Sequence, residues 1–304
     1  YEKGMDVKEL KATQVEAQGD LGGFAVPAQR QAQMIKRLRG LTAVRQAGAM
    51  VVQLINSNAA DFLEYTGGTD QYAGALRGVW GGEGASATDK NYTLGEVSVP
   101  AHVYTYQVKH SRSLVEDAAS LIDNLMMDIA DTLAIDEDTA FLTGNGIKKP
   151  LGILPGSANT LGLTEVITTS AAALTIAGIK ALKRGVASQY RAGAVWVGNS
   201  DTYGDIEQFT WSTGPWAFPD LSENETLLNR KAYESESMPD VAADAYPLVF
   251  GNMRGYGIVE RLGLSIERFH DSNTGPNQVW FGISRRIGGR VLYPWMFAVQ
   301  KCSA

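Results

Sequence analysis

Residues 113–146 read SLVEDAASLIDNLMMDIADTLAIDEDTAFLTGNG, and the remainder of the chain is arranged around this stretch. Ser113 followed three residues later by Glu116 forms a capping box, in which each side chain satisfies an orphan backbone donor of a first helical turn. Leu114, Ala118, Leu121, Ile122, Leu125, Ile129, Leu133, Ala140 and Phe141 then recur at three- and four-residue spacing, and Gly144 with Gly146 supplies the stop. The spacing predicts a helix over 114–142, roughly 43 Å long at 1.5 Å per residue and well beyond the usual three turns. An element of that length serves as a spine.

Its polar side is acidic throughout. Glu116, Asp117, Asp123, Asp128, Asp131, Asp136, Glu137 and Asp138 fall between Ser113 and Ile147 without one Lys or Arg, so i,i+4 ion pairs within the helix are excluded. Asp136, Glu137 and Asp138 also oppose the negative end of the helix dipole. Two readings stand side by side: a solvated acidic face, or pairing to basic side chains of other segments or other subunits. Lys36, Arg37, Arg39 and Arg45 of the preceding basic segment are partners for the second, as are Arg285 and Arg286 near the C-terminus.

The chain has 304 residues, which allows two domains and burial of about 70–75% of the unfolded surface. Its 33 glycines suggest many turns or extended loops. No apolar run approaches the length of a membrane span, so a soluble protein with no membrane partner is expected. The single cysteine, Cys302, excludes an internal disulfide framework and a cysteine-rich metal site. A net charge of −6 argues against a broad basic surface for nucleic acid. Because the first residue is Tyr1 and not Met, loss of an N-terminal piece is expected.

Residues 1–21 are polar and end in the breaker GDLGG, which reads as an arm. Pro27 opens an amphipathic segment closed by Gly40. From Ala49 to Leu63 the pattern is strand-like, whereas Glu64 to Gly95 is dominated by Gly, Ala, Ser, Thr and Asp. With strand-like VSVPAHVYTYQV following, this is expected to be a long projecting β-hairpin, whose Trp80 and Tyr92 need a neighbour to cover them. Beyond the spine, GNGIKKPLGILPG is a turn-rich connector. A helix over 175–190, a strand over 194–198 and a helix capped by Ser200 or Asp201 form an α/β subdomain. Strands are expected at 246–251, 256–261, 264–269, 277–287 and 290–299.

Chemistry finds little support. His102, His110 and His270 lack metal-ligand spacing. GNGIKKP departs from the phosphate-loop pattern and follows a helix, where that motif requires a strand. No GxSxG elbow is present, and Cys302 has no adjacent base. No catalytic residue, metal ligand or cofactor is assigned, and an enzyme is not expected.

The order of segments carries more information. A polar arm is followed by GGFAVP (22–27), a short basic helix, the Gly-rich hairpin and LVEDAASLIDNLM running to AFLTGNGIKKPLGIL. Then come TLLNRKAYESESMPD, YPLVFGNMRGYGIVERLGLSIERF and a final GGRVLYPWMFAVQ. Together these resemble the HK97-like major capsid proteins of tailed bacteriophages, from about Gly22 to Val299. The resemblance implies an α+β, HK97-like capsid fold with a spine helix, P-domain, A-domain, extended E-loop hairpin and N-terminal arm. The expected boundaries are 1–27 for the arm, 57–100 for the E-loop, 28–56, 101–172 and 258–290 for the P-domain, and 173–257 and 291–304 for the A-domain.

The same resemblance implies hexamers and pentamers in an icosahedral virion shell around double-stranded DNA, bound without sequence specificity and assembled in the host bacterial cytoplasm. Other implied partners are a scaffolding segment or protein, a maturation protease, a portal and decoration proteins. Encapsulin nanocompartments share this fold and are the alternative. One family member joins subunits through a Lys–Asn isopeptide bond promoted by a glutamate. Those positions match Ala87, Asn277 and Ser284, so two of three parts are absent and a non-covalent shell is expected. Inter-subunit contacts are expected from Arg77, Trp80, Glu83 and Tyr92 in the hairpin, Asp136, Glu137 and Asp138 on the spine, and Asn277, Arg285 and Arg286.

Overall fold

The computed structural model describes residues 42–55, 57–66, 80, 93–111, 121–156, 159–171, 173–211, 214–269 and 278–303. These form an α+β fold with two compact units. One contains Val103–Ala134 and Leu262–Arg286, and the other Gly40–His102, Ile135–Arg261 and Ile287–Ala304. The described helices are α1 (Ala43–Gln46), α2 (Leu121–Thr143), α3 (Ile176–Gly185), α4 (Ser200–Glu207) and α5 (Pro219–Asn224). The strands are β1 (Met50–Gln53), β2 (Ala59–Thr66), β3 (Thr93–Pro100), β4 (His102–Ser111), β5 (Thr164–Ala171), β6 (Val195–Gly198), β7 (Thr226–Leu227), β8 (Arg230–Glu234), β9 (Leu248–Gly251), β10 (Tyr256–Phe269), β11 (Gln278–Val291) and β12 (Phe297–Ser303).

The larger unit is built on a six-stranded sheet in the order β5-β12-β9-β6-β8-β7. Alternation along its central strands assigns each face to a different core, because successive side chains point to opposite sides. Trp196, Leu248, Phe250 and Ala298 face a cluster completed by Ile179 and Leu182 of α3, Ile206 of α4 and Leu221 of α5. Val197, Val249, Phe297 and Val299 face another, which contains Phe141 and Leu142 from the end of α2. Trp196 packs at 4.4 Å from Phe250, and its indole N–H is satisfied by the Leu227 carbonyl. Burying a side chain of this size contributes roughly 2–3 kcal/mol.

The end of α2 explains the turn-rich connector. Helix C-termini leave carbonyls without partners, and here the returning chain supplies them. Gly152, Ile153 and Leu154 donate backbone N–H bonds to Gly144, Phe141 and Leu142 at 2.8, 2.8 and 2.9 Å. The reversal uses Gly146 at φ +76° and Lys148 at φ 57°. Gly144 cannot carry a Cβ, since it would run into the Ala140 and Pro150 carbonyls.

The hairpin strands β2 and β3 pair antiparallel from Ala59↔Pro100 to Thr66↔Thr93. Its base is rooted: Val97 and Val99 are buried with Val259 and Leu292, while Ala60 and Phe62 pack beside them. On the opposite face Leu63 is exposed. In the smaller unit β4 alternates between exposed and half-buried positions, and His110 meets Phe281 edge-on at 6.3 Å. A four-stranded sheet has the order β1-β10-β11-β4, with β1 parallel to β10.

Several expectations are corrected. The strand-like run 49–63 is divided into β1 and β2. The helix expected over 175–190 ends at Gly185, with Thr175 as its cap, and the next helix is capped by Asn199 and not by Ser200 or Asp201. The strands expected at 256–261 and 264–269 are one strand, β10, and β11 continues through Gly288 and Gly289 to Val291. Both glycines are places of close approach: a Cβ would strike the Pro100 carbonyl at Gly288 and the Tyr256 hydroxyl at Gly289. Strand β5, not expected from the sequence, lies in the six-stranded sheet, paired with β12. The start of the spine at Ser113, the arm, the basic helix over 27–40 and most of the hairpin tip lie outside the described residues.

Candidate functional site

Three carboxylates sit on consecutive residues of α2 in very different surroundings. Asp136 is exposed, whereas Glu137 and Asp138 are both buried, 6% accessible. The Arg45 guanidinium donates to Glu137 Oε2 from Nε at 3.1 Å and from NH2 at 3.0 Å, and the same NH2 meets Glu260 Oε1 at 2.6 Å. Its carbon centre lies 5.6 Å from the centroid of the Phe141 ring. One planar cation thus joins α1, α2 and β10, which the fork geometry of arginine permits and a lysine would not reproduce.

Asp138 performs a different task. Helix α1 has four residues and its N-cap, Thr42, makes no side-chain cap bond. Its first-turn donors are met instead by a carboxylate 94 residues away: Val44 N donates to Asp138 Oδ1 at 3.4 Å, and Ala43 N also contributes. The other oxygen, Oδ2, accepts from Ser235 Oγ. Glu137 and Asp138 were expected at inter-subunit contacts. Within the subunit both have partners, as a buried carboxylate needs its compensation at hand. Of the basic residues expected to compensate the acids, Arg45 is found to do so, and Lys36, Arg37 and Arg39 lie outside the described residues. The sequence offered the acids and Arg45 but no sign of Ser235 or of the cap on α1.

Burial pushes the Asp138 carboxyl above its ordinary value of 3.8, opposed by the bonds from Ser235, Val44 and Ala43. A raised folded-state pKa gives a stability contribution that is complete below the unfolded value and is lost as pH rises toward the folded one. An Asp138→Asn variant lacks this dependence. The difference in melting temperature between the native and variant chains should therefore be larger at about pH 4 than at about pH 7. An equal difference at both values would show that the carboxyl titrates normally.

Of the remaining expected contact residues, Trp80 is fully exposed, at 101%. Arg285 and Arg286 are half-buried on β11. Arg77, Glu83, Tyr92 and Asn277 lie outside the described residues, as does Ala87; Ser284 is on β11, half-buried. Exposed apolar side chains on the larger unit include Ile55, Leu63, Ile147, Ile167, Trp211 and Trp216, a set that costs free energy in water unless another surface covers it. His110 is buried, and that burial lowers its pKa. No described helix is long and apolar enough to cross a membrane.

Comparison with known proteins places this architecture. The model of the phage capsid family matches residues 22–302. Among solved structures, the capsid of a native GTA particle computed with C5 symmetry is 28% identical, with a TM-score of 0.78 over 93% of this chain and 97% of that one. The capsid of the empty GTA particle is 27% identical, with a TM-score of 0.77 over 95% and 99%. The structure from Gordonia phage Cozz shares the fold at 15% identity, with a TM-score of 0.63 over 94% of each chain. A search of curated proteins finds no match.

Proposed function

The chain belongs to the phage capsid family and is a major capsid protein that forms a shell, and from this premise we propose how that shell is organised. Subunits gather as hexamers and pentamers in an icosahedral virion shell, assembled in the host bacterial cytoplasm around double-stranded DNA held without sequence-specific contacts. The observation that carries this is the family match across nearly the whole chain, residues 22–302. Net charge −6 fits a shell whose cargo is confined and not gripped. A scaffolding segment or protein, a maturation protease, a portal and decoration proteins complete the partners. The encapsulin alternative is not favoured by the matched family or by the GTA capsids.

In this reading the six-stranded sheet with α3, α4 and α5 is the A-domain, now including β5. The β2–β3 hairpin with the residues between is the E-loop. Trp80 and Leu63, both exposed, support a hairpin that lies on a neighbour, with Arg77, Glu83 and Tyr92 sharing that surface. Asp136, Asn277, Arg285 and Arg286 are contacts elsewhere on the subunit. The shell is held non-covalently, because Ala87 and Ser284 stand where the linking lysine and its glutamate are needed. Purified particles that sediment as megadalton bodies should therefore give one band near the monomer mass on a denaturing gel. A ladder resistant to heat and reductant would reveal another cross-linking pair.

A further inference from the structure

The parallel strands β6 and β8 run between two poles of opposite charge, in register from Trp196↔Ala232 to Gly198↔Glu234. At their N-terminal end Lys183 donates to the Leu228 carbonyl at 2.8 Å, and Arg191 donates to the carbonyls of Val186 at 2.6 Å and Arg184 at 2.9 Å. Arg230 donates to the Ala192 carbonyl at 2.7 Å. These bonds gather Lys183, Arg191 and Arg230 around the end of α3, and the exposed Arg184, whose Nε donates to the Lys180 carbonyl at 3.4 Å, lies in the same last turn. None of the four makes an ion pair among the described residues. At the other end, about 13 Å away by strand length, Glu234 closes β8, Asp201 lies in the first turn of α4 and Glu236 follows Glu234 by two residues. These three acids are exposed and also make no described ion pair.

We propose that these poles form a head-to-tail docking surface, in which the cations around the end of α3 in one subunit meet Asp201, Glu234 and Glu236 of a second copy of this chain. The inference rests on the shell reading and assigns it a contact.

The plain alternative is that the cations stabilise the end of α3. Arg191 does satisfy its terminal carbonyls, and cations favour a helix C-terminus. That role needs one or two positive charges, however, and here Lys183, Arg191 and Arg230 crowd together, with Arg184 in the same last turn. Lys183 registers the crowding: its pKa is lowered by burial first and then by the charges of Arg230 and Arg191. A like-charged cluster of half-buried cations with the exposed Arg184 at its edge is complementary to an anion. The same unit carries the matching acids at its opposite end, so a copy placed in tandem neutralises both poles. Different patches meeting in one direction make a heterologous contact, the type that closes into rings. Complementary poles also discriminate against the reversed orientation, where like charges would face each other. A nucleic-acid backbone is less suited, since the cations form one compact patch and the chain is acidic overall.

The test uses the full chain and charge reversal. Arg184→Glu with Arg230→Glu should lower particle yield about tenfold or more, and Glu234→Lys with Glu236→Lys should do the same. The chain carrying all four changes restores complementarity with the signs exchanged. It should assemble to within about threefold of the native yield, which misfolding of either parent could not produce. Circular dichroism and melting of each unassembled variant verify the fold. Native particles together with normal assembly of both two-site variants would overturn the docking surface and leave the shell reading intact. So would intact particles that lose only their nucleic acid, which would give the cations to the cargo. Failure of the native chain to form particles would overturn the shell reading, and this contact with it.

Discussion

Replacing Arg45 with Met should destabilise the isolated subunit by on the order of 2–4 kcal/mol, the range for breaking a largely buried ion pair, reduced because this guanidinium is partly exposed. Glu137 and Glu260 have side chains only 5% and 16% accessible and share this cation. Methionine keeps the packing over Phe141 while removing the charge, so the loss reports the electrostatic part. Melting should fall by roughly 3–6 °C for a chain of this size. Arg45→Lys should recover less than half, because one ammonium cannot present parallel donors to two acids. Combining Arg45→Met with Glu137→Gln should be milder than the sum of the single changes, since the second removes the charge that the first strands. A loss below about 1 kcal/mol for Arg45→Met would class the contact with ordinary surface pairs.

The second large effect is expected at the hairpin. Replacing residues 67–92 with Asn-Gly joins Thr66 to Thr93, the last registered pair, through a two-residue turn that matches strand twist. Among the described residues of the hairpin the buried side chains, Val97 and Val99, lie in the retained strand β3, and the removed stretch is mostly Gly, Ala, Ser, Thr and Asp. The shortened subunit should keep its melting temperature within a few degrees and fail to close shells. Normal shells, or an unfolded subunit, would show that the hairpin is not the assembly arm described above.

The legibility of this chain varied with how local the determining physics is. The spine was readable from its 3.6-residue period and its glycine stop, and the stop is where the sequence placed it, at Thr143–Gly144. Strand β6 was equally plain because a short apolar run between turn signals has few other solutions. Glycine misled twice: Gly263 does not divide β10, and Gly288 and Gly289 lie inside β11. What Gly288 and Gly289 require is space for Pro100 and Tyr256, residues far away in sequence. Strand β5 was missed because TEVITTSA has only three apolar residues of eight, as suits an edge strand; its place depends on β12, more than a hundred residues later. The acids on the spine were visible, but whether a carboxylate is buried depends on Val44 and Ser235 arriving beside it. Adjacent residues of the spine differ accordingly, with Asp136 exposed and Glu137 and Asp138 enclosed.

Electron microscopy of the purified chain tests the central claim most directly. Closed, uniform particles bearing fivefold and sixfold clusters of subunits are expected, with their formation weakened by salt as a charge-steered contact requires. Monomers or small oligomers under every assembly condition, with no closed particle, would contradict the assignment of this chain as the building block of a shell.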